Sequence, residues 1–190
     1  MKPSPSKLHI LSRRQSGASL LEVLVSILLL SFGMLALGAM MSFAVQMPKL
    51  AAYRATAAHL AASHVERVRA NPVAFRAGGY NSALNYDGTT NVLTLSNCTY
   101  PNCTETSLAV MDVRATQLAA REQLPAGGML ATCSTTPCTT GSYGNLWIMW
   151  QEPTTYASLN PANSDNCPAT VISTYTNPRP RCLYVRYKVD

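Results

Sequence analysis

The sequence predicts an α+β chain in which one long N-terminal helix, its first half of membrane length, packs on a small antiparallel sheet. Three observations predict it. From Val23 to Pro48, 26 residues pass without Asp, Glu, Lys, Arg or His, and about 20 apolar residues suffice to cross a hydrocarbon core of about 30 Å. Past that stretch, Leu50, Tyr53, Ala57, Leu60, His64 and Val68 recur at steps of three and four, one face of an amphipathic helix. Near the C-terminus, Leu183, Val185, Tyr187 and Val189 alternate with Tyr184, Arg186 and Lys188, the period of a strand with one buried face.

The first element is a helix expected from Ala18 to Ala70, about 80 Å long at 1.5 Å per residue. Gly33 and Gly38 weaken it or permit close helix packing, and Pro48 should kink it near the outer membrane surface. Arg67 and Arg69 suit the negative end of the helix dipole, and Asn71-Pro72 ends it. Residues 77–97, with Gly78-Gly79 and Asp87-Gly88, read as a surface excursion with a short hairpin. Leu108, Met111, Ala115 and Leu118 predict a second helix ending before Leu124. A strand should follow from Met129 to about Ser134. The continuous apolar run Leu146-Trp147-Ile148-Met149-Trp150 predicts the central strand, with Trp147 or Trp150 against the long helix.

Charge orients the chain. The first seventeen residues hold Lys2, Lys7, Arg13 and Arg14 and no acid, which keeps that end cytoplasmic and sends the remainder outward. Four of the 15 basic residues therefore lie in the first seventeen, leaving 11 against 9 acids in the remainder of the chain. The high pI is thus a targeting feature. Arg179, Arg181, Arg186 and Lys188 with Tyr175, Tyr184 and Tyr187 form a basic-aromatic stretch, but so few charges give weak, salt-sensitive affinity, and nucleic-acid binding is not expected.

Six cysteines, Cys98, Cys103, Cys133, Cys138, Cys167 and Cys182, all follow the apolar run. An even count in an exported domain points to disulfides in an oxidising periplasm. Fifteen pairings are formally possible, and the spacing groups them as 98 with 103, 133 with 138 and 167 with 182. A zinc site is the rival, but Cys-x4-Cys is wider than the usual knuckle and no His lies near. His59 and His64 are five apart, the wrong spacing for a helical metal pair. No phosphate loop, nucleophile elbow or close carboxylate pair occurs, so neither enzyme activity nor a metal or other cofactor is expected.

The N-terminus carries a family resemblance. A basic leader ends at Gly17; Ala18, Ser19 and then Glu22, the fifth residue after the glycine, open a long apolar helix. This resembles a type IV prepilin. The resemblance implies cutting by prepilin peptidase after Gly17, ahead of the apolar run, whereas a secretory peptidase cuts behind one. Cleavage would free a positively charged amine on Ala18 for methylation. A carboxylate in the bilayer costs on the order of 2 to 3 kcal/mol or more, and setting Glu22 against a neighbouring subunit's Ala18 amine would offset much of that. Such pairing would also set axial register.

The layout resembles the type IV pilin fold, and implies four regions: a leader over 1–17, a transmembrane and assembly helix over 18–48, its amphipathic continuation over 49–72 and a periplasmic globular domain over 73–190. Ala58-His59-Leu60-Ala61, Val65 to Pro72 and Leu124-Pro125-Ala126-Gly127-Gly128 resemble, more narrowly, the PilV group of minor pilins. That resemblance implies a structural subunit of the inner membrane that primes the pilus and joins its tip. The partners it implies are prepilin peptidase, other minor pilins and the major pilin, the inner-membrane assembly machinery and a tip adhesin of the PilY type. A type II secretion pseudopilin and a membrane-anchored periplasmic binding or sensor domain are the competing readings.

Overall fold

The computed structural model describes residues 20–83, 86, 97–99, 101–152, 165–175 and 179–189. Its elements run α1 (Leu20–Ala70), α2 (Pro72–Arg76), α3 (Glu105–Gln123), β1 (Gly128–Cys133), β2 (Tyr143–Trp150), α4 (Ala169–Thr174) and β3 (Arg181–Lys188). The chain divides into two units, Met1–Met47 and Pro48–Asp190. In the first, the described residues are the apolar part of α1. In the second, the remainder of α1 packs with α2 and α3 on an antiparallel sheet of order β1-β2-β3. The fold is α+β, a long N-terminal helix on a small sheet, consistent with a type IV pilin fold.

The amphipathic reading of the second part of α1 holds. Ala57, Leu60, Ala61, His64, Val65 and Val68 are buried, and Tyr53 packs against the same core. Pro48 lies inside α1, whose helical assignment runs through it. Asn71 ends α1 and starts α2: its side chain accepts from Ala74 N, and Pro72 occupies the first turn, where a missing N–H costs nothing. Asn71 Nδ2 also donates to Glu105 O at 2.7 Å, tying this corner to the start of α3. There Thr104 caps the helix by accepting from Ser107 N.

α3 falls where its periodicity places it, but it turns a different face inward. Ala109, Val113, Thr116, Gln117 and Ala120 are buried, while Leu108 is exposed and Met111, Ala115 and Leu118 are half-exposed. The reason is close approach. The small residues Ala109 and Ala120 let the helix sit against Gly79 and Gly127, and a Cβ at Gly127 would run into the Ala120 carbonyl. Bulk at Leu108 or Leu118 would not fit there. Residues 77–83 correct a second expectation. They are not all surface, because Tyr80 is buried in the α1–α3 core; Tyr86 is buried too, edge-on to Tyr175 at 4.8 Å. Most of the remainder of 77–97, the stretch expected to hold a short hairpin, falls outside the described residues.

The sheet has two differently used faces. Toward α1 and α3 point Met129 and Ala131, Leu146, Ile148 and Trp150, and Leu183, Val185 and Tyr187. Trp150 thus joins the main core, as one of the two expected tryptophans. On the other face Met149, Val171 and Cys182 form a second small cluster with Leu130, Trp147 and Tyr175 at its margin. β2 is central and pairs Trp147 with both Leu130 and Tyr184. Gly144 stands opposite Tyr187, whose ring occupies the space a Cβ would need.

Candidate functional site

Glu22 lies in the first turn of α1. Acids suit the positive end of a helix dipole, but the surroundings are apolar on every side: Leu21, Val23, Leu24, Val25 and Ile27 are all exposed large hydrophobics, and the run of them continues to Met47. A helix apolar all round belongs in lipid or in the core of an assembly. The few polar side chains turn back on the helix itself: Ser26 Oγ donates to Glu22 O and Ser31 Oγ to Ile27 O, both at 2.7 Å. Each hydroxyl is then satisfied without water, as a hydrocarbon setting requires.

The Glu22 carboxylate itself is in no ion pair among the described residues. Gly17 and Ala18 fall outside those residues. What the geometry supplies is one acid at the head of a helix long and apolar enough to cross a membrane.

The second unit carries its own constraints. Cys98 is joined to Cys103, Cys133 to Cys138 and Cys167 to Cys182. The first crosslink sits on α3, with Cys98 Sγ 3.3 Å from Met111 Sδ. The second bridges the end of β1 to the turn that leads into β2. The third attaches the segment before α4 to β3, where Cys182 N donates to Asp165 Oδ2 at 3.2 Å. Beside it, Arg181 is buried and lies 2.8 Å from Asp165 and 3.7 Å from Glu152. That burial withdraws Arg181 from the surface of the basic-aromatic stretch. Of the basic and aromatic residues in that stretch, Tyr187 and Arg181 are buried, Tyr184 stacks on Trp147 at 5.1 Å, and Arg186 lies 4.0 Å over the Tyr143 ring.

One polar group lies in the core, on the α1 stripe that the periodicity turns inward. His64 is fully buried, and its Nδ1 lies 2.9 Å from Thr116 Oγ1. The Thr116 hydroxyl donates its hydrogen to Asp112 O at 2.9 Å, so Nδ1 must be the donor to Thr116 and Nε2 the bare nitrogen. Nε2 is buried without a hydrogen-bond partner among the described residues. Burial, with Arg67 nearby, lowers the His64 pKa to about 4. Tyr80, edge-on to His64, donates to Asp112 Oδ2 at 2.8 Å; burial and that carboxylate hold its phenol protonated well above the ordinary range. The one sequence signal was position: a histidine in register with Leu60 and Val68 must face the core. Among the described residues no cluster of His, Cys, Asp and Glu could hold a metal ion.

Residues 12–38 match the family model of the prokaryotic N-terminal methylation motif. The match spans the leader's end, Gly17, Ala18, Glu22 and the first part of the apolar helix. Among curated proteins and solved structures no match was found. Such a motif implies processing by prepilin peptidase and assembly with pilus-type machinery, and with the apolar helix it fits a membrane-anchored pilin. The motif, the helix that completes it and the helix-on-sheet unit that follows together support placing the chain among the type IV pilin-like prepilins.

Proposed function

We propose that this protein is a minor type IV pilin of the PilV type, a structural subunit that helps prime the pilus and takes part in its tip complex. The observation that carries the reading is the methylation motif at residues 12–38 laid over a helix whose surface from Leu20 to Met47 is mainly exposed and apolar, with Glu22 its one charged side chain. In this reading the leader 1–17 is removed after Gly17, the helix holds the subunit in the inner membrane as a single pass with its N-terminus cytoplasmic, and the domain over 73–190 is periplasmic. Glu22 then meets the Ala18 amine of an adjacent subunit during assembly. The three disulfides suit the oxidising compartment. The minor-pilin assignment rests on the resemblance of 58–72 and 124–128 to the PilV group. Its partners would be prepilin peptidase, other minor pilins, the major pilin, the inner-membrane machinery and a PilY-type tip adhesin.

Intact-mass measurement of the protein recovered from membranes tests the class. A species lacking residues 1–17, with or without one methyl on Ala18, supports it; a chain beginning at Met1 rejects it in favour of an uncut membrane anchor. Deleting the gene and counting surface pili, with protein secretion assayed in parallel, tests the finer role. Loss of pili supports the minor pilin, whereas loss of secretion with normal pili assigns a type II secretion pseudopilin.

A further inference from the structure

A cavity of about 220 Å³ opens between α3 and the segment over 79–83. Val110, Val113, Arg114 and Gln117 form the α3 wall, successive residues on one strip of the helix. The opposite wall is pinned to the sheet: Ser82 N donates to Ala131 O and Ser82 Oγ accepts from Ala131 N, both at 2.9 Å, so Ser82 prolongs the edge of β1. Neither wall can close the groove without breaking those bonds or moving α3 off its core.

The lining has a definite chemistry. Val110 is 40 % exposed and Val113 is buried beneath it, which makes an apolar floor. Arg114 is exposed at the mouth and donates through Nη1 to Gln117 Oε1 at 3.2 Å, while Gln117 is 4 % exposed. A neutral amide thus steers the guanidinium without neutralising it, and most of its five N–H donors remain for a second acceptor. Among the described residues no acid lines the groove and Arg114 is in no ion pair. The volume is below the roughly 300 to 1,000 Å³ of sites for cofactors and drug-sized molecules. It suits one or two side chains.

We propose that this groove docks a peptide segment of a partner chain that presents a carboxylate beside one apolar side chain. The carboxylate pairs with the Arg114 fork, for which bidentate geometry favours arginine over lysine, and the apolar side chain covers Val110 and Val113. The proposal does not depend on the pilin reading.

The test uses the full chain in detergent micelles, labelled at arginine Nε and valine methyls, titrated with N-acetyl-Leu-Glu amide, N-acetyl-Leu-Gln amide and acetate. Saturable shifts at Arg114, Val110 and Val113 with the Glu peptide, and at least about tenfold weaker binding of the Gln peptide, support it. Arg114→Gln should abolish the preference and Arg114→Lys should reduce it; Arg114 is exposed, and unchanged methyl signals elsewhere will confirm that both variants fold. No saturable shift, equal binding of the two peptides, or acetate binding as tightly as the Glu peptide would each overturn it.

Discussion

His64 Nδ1 donates to Thr116 Oγ1 at 2.9 Å, and this buried bond joins the middle of the α1 core face to the middle of α3. Burial, with Arg67 nearby, holds the imidazole in its neutral form. His64 takes a proton below about pH 6.5 in the unfolded chain, whereas in the folded chain it resists until about pH 4. Stability from this group is therefore complete above pH 6.5 and is lost as pH falls toward 4, by about 3 kcal/mol in all. Urea unfolding of wild type and His64→Gln at several pH values in mild detergent should show a difference that narrows or reverses across that window. Parallel pH profiles would show that His64 is not buried neutral.

Glu22 has no ionic partner among the described residues of its own chain, so its replacement should spare the fold. Glu22→Ala is expected to leave processing and the thermal transition of the folded unit unchanged while lowering incorporation into filaments several-fold, read as the ratio of sheared to membrane-retained protein. Normal incorporation would remove the register role proposed for the carboxylate.

Gly17→Ala should act one step earlier. Without the glycine, prepilin peptidase should fail to cut, and the protein should run on a gel as a single band heavier by the 17-residue leader. A mature-size band would place the cut elsewhere.

Arg181 is a buried cation between Asp165 and Glu152. Removing it strands two carboxylates near the Cys167–Cys182 crosslink, and loss of one member of a buried ion pair costs about 3 to 5 kcal/mol. Arg181→Ala should therefore destabilise far more than Arg186→Ala, whose guanidinium lies on an exposed ring. Denaturant midpoints of the two variants check the order.

Gly144 leaves room for the Tyr187 ring on the neighbouring strand. Gly144→Ala should cost about 1 to 3 kcal/mol through overpacking, and Tyr187→Ala in the same chain should recover part of the clash while adding its own cavity. Non-additive melting temperatures would reveal the coupling.

Much of this architecture is legible without coordinates because it follows from one-dimensional patterns. A run of 26 residues free of charge has the length and composition of a membrane-crossing helix, a three-four repeat fixes which side of α1 meets the core, and alternation fixes the face of β3; each depends on backbone geometry that is the same in every protein. The central position of β2 follows from its uninterrupted apolar run, since only an inner strand finds cover on both sides. Asn71-Pro72, which the sequence marks as the end of α1, is both that end and the beginning of α2.

Tertiary packing decided the rest. α3 has apolar residues on two sides, and which side turns inward depended on the small residues that let it approach Gly79 and Gly127, a matter of distance between segments far apart in sequence. Arg181 and Arg186 are both basic residues of one strand, yet one is buried because Asp165 and Glu152 come to it from other parts of the chain. His64 was bound to be internal, but its donor nitrogen is fixed by Thr116, 52 residues away, which offers an oxygen whose hydrogen is already spent, and its lowered pKa comes from burial by the packed fold with Arg67 nearby. Periodicity records how a segment meets an interface; the partner waiting there is set by the fold.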